Sequence, residues 1–331
     1  MRSGRWILAL DVGGTNMVAA LIHEDGGDPV GLRTRSTPAD QGPAALADAA
    51  VDLLAQVRTV GTSGGIAANQ IVGVGVGVPG AVDAVRGIVF LAPNLGWRDV
   101  PIRDLLQDRL ELPVVVDNDA NCAALGEWWT GAGRGSRLLV TATLGTGIGG
   151  GIVRDGRVLR GVSGAAGEIG HMVVQVVGGR ACSCGSDGCL EAYASGTAIR
   201  ARAREALADG TPSRIREIVQ GGVERVTAQE VAQAAREGDE LALRLIRETA
   251  SFLGAGLASL VNILNPDRIV LAGGVMQAGD LLLLPVREEV RRRAFEASSE
   301  ACVIAAAREP ETAGVRGAAL TFRREVLEGH R

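Results

Sequence analysis

Apolar residues in this chain fall into short runs broken by glycine and polar turns, the pattern of buried strands alternating with helices. Residues 6–22 read as a strand, a turn (Asp11-Val12-Gly13-Gly14-Thr15-Asn16) and a second strand. Residues 138–153 repeat the plan around Gly145-Thr146-Gly147-Ile148-Gly149-Gly150-Gly151. Each predicts a hairpin whose turn exposes backbone N–H groups and threonine hydroxyls, a surface suited to phosphate oxygens. Two such hairpins, one per half, predict two related domains facing each other across a cleft. Elsewhere the periodicity predicts helices over 43–58 and 102–110, a glycine-alternating strand over 71–78, and a short strand over 114–116. That strand ends in Asp117-Asn118-Asp119-Ala120-Asn121, polar groups expected to cap a helix over 122–130. Helices follow over 197–207, 228–236 and 240–264, then a strand over 268–272 that runs into Gly273-Gly274. A helix after Gly314 is expected to pack back on the first domain.

Composition narrows the function. A chain of 331 residues has room for two well-buried cores. Hydrophobic residues make up 47%, yet no run of about 20 apolar residues occurs, so no membrane partner is expected. A net charge of -4 gives no reason to expect nucleic acid. All 34 basic residues are arginine. The absence of lysine excludes a Schiff-base lysine, a Walker-type phosphate lysine and the protein-kinase lysine. Aromatics are scarce at 3%, so a ligand would be held by hydrogen bonds more than by stacking. The spacing G-x-G-x-x-G occurs at Gly75, Gly77 and Gly80 and again at Gly145, Gly147 and Gly150. Extended sequence follows in both cases where a dinucleotide fingerprint needs a helix, which argues against a Rossmann site.

The sharpest chemical signal lies between His171 and Glu191. Cys182, Cys184 and Cys189 follow a Gly-Glu-Ile-Gly-His turn, and with His171 they form the Cys3His set that Zn2+ accepts tetrahedrally. Full occupancy leaves no open position, so the metal is expected to be structural. Ser183, Gly185 and Gly188 suit a tight ligand loop. No signal peptide is visible, which points to a reducing cytoplasm. Cys122 and Cys302 read as core thiols, Trp128-Trp129 as packing at a helix end, Arg291-Arg292-Arg293 as a solvated face, and 209–226 as a surface excursion.

These residues carry a resemblance to the ROK family of bacterial sugar kinases. It runs from Asp11–Asn16 through Asp117–Asn121, Gly145–Gly147, Glu168–His171, the Cys-x-Cys-Gly-x-x-Gly-Cys-Leu-Glu string and Leu190–Gly196 to Leu271-Ala272-Gly273-Gly274. The resemblance implies an α/β, actin-like (ribonuclease H-like) two-domain fold with an interdomain cleft. It divides the chain into a smaller domain, 1–117 plus 312–331, and a larger one, 118–311, with the zinc loop. It also implies an ATP-dependent glucokinase activity, with Asp119 accepting the proton of the sugar's primary hydroxyl. Sugar contacts fall on Gly80, Asn94, Asn118, Asp119, Glu168, His171 and Glu191. Phosphate and nucleotide contacts fall on Asp11, Gly13, Gly14, Thr15, Asn16, Gly145, Thr146, Gly147, Gly273 and Gly274. Mg2+ would supply the positive charge that no lysine provides, anchored through Asp11. N-acetylmannosamine, N-acetylglucosamine or fructose are alternative sugars of the same chemistry, and polyphosphate an alternative donor. A sugar-responsive repressor is the alternative of another class; such regulators carry an extra N-terminal DNA-binding segment, for which the position of Asp11 is expected to leave no room. A homodimer or homotetramer is expected.

Overall fold

Both predicted hairpins are present, and each opens a five-stranded sheet of the same plan. The computed structural model describes residues 4–329. The first part of the chain runs β1 (Trp6–Val12), β2 (Asn16–His23), β3 (Val30–Ser36), α1 (Gly42–Ser63), β4 (Ile71–Val78), β5 (Ala81–Asp83), β6 (Ile88–Ala92), β7 (Trp97–Val100), α2 (Ile102–Leu110), β8 (Val114–Asn118) and α3 (Asp119–Trp129). Then follow β9 (Leu138–Leu144), β10 (Ile148–Arg154), β11 (Arg157–Val158), α4 (Glu191–Ala194), α5 (Gly196–Ala208), α6 (Ile215–Ile218), α7 (Ala228–Arg236) and α8 (Glu240–Leu264). The chain closes with β12 (Arg268–Ala272), α9 (Asp280–Arg293), α10 (Glu296–Ala301), β13 (Val303–Ala306) and α11 (Pro310–Phe322).

One sheet has the order β3-β2-β1-β4-β8, the other β11-β10-β9-β12-β13, and β5-β6-β7 form a small third sheet. In the first, β1 pairs antiparallel with β2 and β2 with β3, while β4 lies parallel to both β1 and β8. In the second, β12 lies parallel to β9 and to β13, and β10 pairs antiparallel with β11. The weak sequence echo between the two hairpins is therefore the visible part of a duplicated sheet.

Residue contacts divide the chain into two units: Met1–Ser136 with Gly151–Gly167 and Arg308–Arg331, and Arg137–Gly150 with Glu168–Ala307. The expectation drew its boundary after residue 117; here α3 falls in the first unit because it packs along α11. Glycines make that crossing close. A Cβ on Gly317 would overlap the carbonyl oxygen of Cys122, and one on Gly126 that of Ala313. The alternating glycines of β4 have the same cause, since a Cβ on Gly75 would strike the Ala318 carbonyl and one on Gly73 the Phe322 ring. Phe322, Ile7, Ala9, Ala20, Ile22, Cys122, Val315 and Ala318 form the apolar layer beneath α11. On the other face, α1 buries Leu46, Leu53, Leu54 and Val57 against Leu8, Leu10 and Leu21.

Several elements depart from their predicted bounds. Helix α1 continues to Ser63 and α11 begins at Pro310, with Gly314 inside it. Residues 209–226 are not a bare excursion: Ile215, Val219 and Val226 are buried, and Asp239 accepts hydrogen bonds from Ser213 Oγ (3.0 Å) and Arg214 N (2.8 Å). Cys122 is a core thiol as expected, whereas Cys302 stands half-buried just before β13. The Arg292 and Arg293 side chains pair with Glu289 on an open helix face. Among the described residues no helix is long and apolar enough to cross a membrane.

Candidate active site

In the first unit the chemistry gathers where β1, β4 and β8 end, the edge at which parallel sheets place ligands. Asp117 and Asn118 close β8, and the helix starts one residue later, three residues before its predicted start. Asn118 is the N-cap: its Oδ1 accepts from Asn121 N at 3.0 Å, and its Nδ2 donates to Gly80 O at 2.9 Å. Gly80 turns the chain there at φ +99°, where a Cβ would strike the carbonyl of Leu91. Asp119 is thereby the first helical residue instead of the cap, with Oδ1 accepting from Ala120 N at 2.8 Å. Asp117 is buried, accepting from Asn118 N (2.8 Å), Asn121 Nδ2 (3.1 Å) and Arg160 Nη2 (2.6 Å).

Asp11 lies near the end of β1, its oxygens in the space that side chains on Gly77 and Gly314 would need. Burial, with the charge of Asp119 adding, pushes its carboxyl up to about 7. The next turn is closed by Gly13 N donating to Asn16 O (2.8 Å), and Thr37 fastens it through Thr37 Oγ1 to Gly13 O (2.7 Å) and Thr37 N to Thr15 O (2.8 Å). Gly14 and Thr15 form the exposed tip, and Asn94, exposed on a 3-10 turn, lies beside it, its Cβ 3.9 Å from where a Cβ on Gly14 would sit.

The second unit holds the other predicted residues. The turn after β9 is closed by Gly145 N on Gly147 O (3.0 Å), and Gly196 N, opening α5, binds Gly145 O (2.8 Å). Thr146 is left as the exposed tip. Gly273 follows β12 at φ +93°, where a Cβ would come within 2.5 Å of the Leu144 carbonyl oxygen, so any side chain there would part the two strand ends. Glu191 begins α4. Its Oε2 accepts from Ile148 N (2.8 Å) and its Oε1 from Ser183 Oγ (3.0 Å). One carboxylate thus ties the β9–β10 hairpin to the cysteine loop.

His171, Cys182, Cys184 and Cys189 converge, their ligand atoms all within 4.8 Å of one another. A tetrahedral zinc with ordinary bond lengths would hold two sulfurs about 3.8 Å apart and a sulfur and a nitrogen about 3.6 Å apart. Cys184 Sγ and Cys189 Sγ are 3.8 Å apart, and Cys182 Sγ is 3.6 Å from His171 Nδ1. The donor set fits the ion. The other imidazole nitrogen, Nε2, lies 3.9 Å from Glu168 Oε2, beyond direct hydrogen-bond reach. The Ser186 amide holds the exposed Cys184 thiol below the usual range, and burial pushes Cys189 up to about 12; a bound cation overrides both by ionising its thiols. Tyr193 anchors the base of the loop, accepting from Arg180 N at 2.7 Å and stacking on Phe252 at 4.1 Å.

Gly274 follows Gly273 at the start of a 3-10 turn, with nothing within 4 Å of where its Cβ would sit. The sequence reading missed Arg160, the charged partner of Asp117, and saw Ser183 only as a loop former. A lone arginine after a two-residue strand carries no local signal.

A duplicated sheet with a glycine-threonine turn in each copy is the actin-like fold. The chain belongs to the ROK family, whose family model matches residues 7–325. It is 40% identical to a glucokinase of Halalkalibacterium halodurans over 95% of this chain and 94% of that protein. Among solved structures, a ROK family glucokinase from Streptomyces griseus in complex with glucose and AMPPNP aligns with TM-score 0.80 and 37% identity, over 95% of this chain and 98% of that one. A ROK family transcriptional regulator, a homologue of the E. coli Mlc protein, aligns with TM-score 0.82 and 27% identity, over 96% of this chain and 77% of that one.

Proposed function

We propose that this protein is an ATP-dependent glucokinase, transferring the γ-phosphoryl group of ATP to the 6-hydroxyl of glucose. The observation that carries the reading is the place of Asp119. Asn118 caps the helix, so the Asp119 carboxylate stands on the first turn of α3 at the strand-end edge, where it serves as the base. The sugar O6–phosphorus bond forms as the bridging β,γ oxygen leaves with ADP, and the hydroxyl proton passes to Asp119. Because the proton departs late in a loose transition state, orientation matters more than basicity. Gly80, Asn94, Asn118, Glu168, His171 and Glu191 are the sugar contacts; paired carboxylates and amides discriminate epimers because a misplaced hydroxyl strands a buried partner at about 1 to 3 kcal/mol.

Gly14, Thr15, Asn16 and Thr146 meet phosphate oxygens, Gly13, Gly145 and Gly147 shape their turns, and Gly273 and Gly274 admit adenosine. Asp11 and Asp119 repel one another across the same edge, which suits a divalent cation, and Asp11 would anchor Mg2+ there. When bound, that ion neutralises charge on the transferring phosphoryl group. Zinc in the Cys3His loop is structural. Three thiols in a metal loop suit a reducing, cytoplasmic setting, and a homodimer or homotetramer is part of the reading. A regulator shares the fold, so fold alone does not separate the two; a binding protein has no need of Asp119 at this position.

The test is a coupled assay of purified protein against glucose, fructose, N-acetylglucosamine and N-acetylmannosamine, each with ATP and polyphosphate. Glucose with ATP is expected to give the highest kcat/KM. Asp119→Asn is expected to bind glucose with little change and lose turnover by at least about 100-fold. Near-normal turnover in that variant would remove the base assignment, and sugar binding without turnover in the wild type would favour the regulator.

A further inference from the structure

Building on the proposed reaction, we infer that Arg160 is a positioning residue for the base Asp119, acting through the buried carboxylate of Asp117. The bonds form a short chain. Asp117 is only 2% exposed and spends Oδ1 on Asn118 N and Asn121 Nδ2, and Oδ2 on Arg160 Nη2 at 2.6 Å. Its two neutral donors therefore lie one position before and two positions after Asp119. Asn118 is further fixed by Gly80 O and Asn121 N. The peptide that carries Asp119 is held at both ends, and the holder is one carboxylate whose charge Arg160 balances.

Arg160 stands in the loop that follows β11, closed by Ala166 N donating to Arg160 O at 3.0 Å. Its Nη2 also reaches Glu325 Oε1 at 3.3 Å, and its buried Nε has no partner among the described residues. That orphaned donor is a cost, so the guanidinium is placed for its reach to Asp117 and not for its own satisfaction. Without Arg160, an ionised carboxylate at this depth would lack a counter-charge and would take up a proton or shift toward water. Either response weakens its grip on the two donors. Asp119 then samples orientations other than the in-line one, and misplacement of a catalytic group by about 1 Å costs on the order of 100-fold.

The test compares Arg160→Gln, Arg160→Lys, Asp117→Asn and the Arg160→Gln/Asp117→Asn double variant, well below their melting temperatures. Arg160→Gln is expected to lower kcat for glucose by about 10- to 100-fold with the ATP KM within about twofold, and Arg160→Lys to recover most of the loss. The double variant is expected to be no worse than the worse single one, because the two residues act as a unit. Wild-type kcat in a folded Arg160→Gln protein, or losses that add in the double variant, would overturn the inference. If Arg160→Gln does not fold, Asp117→Asn decides alone: reduced kcat at an unchanged melting temperature supports the link, and unchanged kcat refutes it. Amide exchange provides an arm that needs no activity. Exchange at Asn118 and Asn121 is expected to quicken in Arg160→Gln while the rest of β8 stays protected, and wild-type exchange there overturns the inference. A wild-type protein unable to phosphorylate glucose would refute the proposed function and leave the exchange arm to decide on Arg160.

Discussion

Asp11 shows how one side chain can set opposing demands on stability and function. Its carboxyl is raised to about 7 by burial first and by Asp119 second, against about 3.9 in an unfolded chain. Between those values the native state holds a proton that the unfolded state has released, and this favours the fold. The contribution is complete below about pH 4 and is lost as pH rises through about 7. Asp11→Asn is therefore expected to melt higher than the wild type at pH 8, with the gap closing toward pH 4.5, while activity falls because the proposed anchor for Mg2+ is gone. A scan of melting temperature against pH checks this; a gap independent of pH would show that Asp11 is not the group being titrated. Gly147 gives a second test at this scale. A Cβ there would overlap Glu191 Oε2, the oxygen bound to Ile148 N. Gly147→Ala is expected to cost roughly one hydrogen bond, about 1 to 1.5 kcal/mol, read as a roughly tenfold rise in the glucose KM. An unchanged KM would mean that Glu191 does not hold the sugar.

The cysteine loop is the element on which the second unit's candidate residues converge. Glu168 faces the imidazole that completes the metal set, and Glu191 receives a hydrogen bond from Ser183, which stands between two cysteines. Through Ile148 N the same Glu191 reaches the β9–β10 hairpin. Loss of metal is therefore expected to reach the β9–β10 hairpin as well as the cysteine loop. Cys184→Ser is expected to lower zinc content, melting temperature and glucose affinity together, and to raise the ATP KM by a smaller factor. Full zinc occupancy in the variant, measured by atomic emission, would exclude Cys184 as a ligand. The legibility of this loop in the sequence has a physical reason: metal ligands must be particular residue types at short spacing, so His171, Cys182, Cys184 and Cys189 stand out in one dimension. The start of α3 was less legible. Asp117, Asn118 and Asp119 are all competent caps, and only the backbone path from β8 selects Asn118. Arg160 was illegible, because its partner lies 43 residues away in sequence and is fixed by tertiary packing alone.

At the scale of the whole molecule, the first unit is discontinuous, and its last segment is the one that completes it. Residues 308–331 return after the second unit to supply α11, which packs along α3 and across β4 and β1. The sequence foretold this return as a helix after Gly314 that packs back on the first domain. What it could not display is that Gly317 lets that helix approach Cys122, and that Gly73, Gly75 and Gly126 are spaces cut for it. In the absence of α11 those spaces become grooves, and Ile7, Ala9, Ala20 and Ile22 lose the layer that covers them. Each large apolar side chain so uncovered forfeits about 1.5 to 3 kcal/mol, and a domain's net stability is only about 5 to 15 kcal/mol. A chain ending at Ala307 is thus expected to lose cooperative folding of the first unit, seen as rapid proteolysis between residues 4 and 136, while 168–307 stays protected. Gly317→Val asks the same question with the chain intact. Its side chain would be driven into the Cys122 carbonyl, at a cost above about 2 kcal/mol, so the melting transition should fall while zinc content is kept. If the truncated chain instead kept a protease-resistant first unit, the core of that unit would have to lie on the α1 side of the sheet alone, and the glycines of β4 would need another explanation.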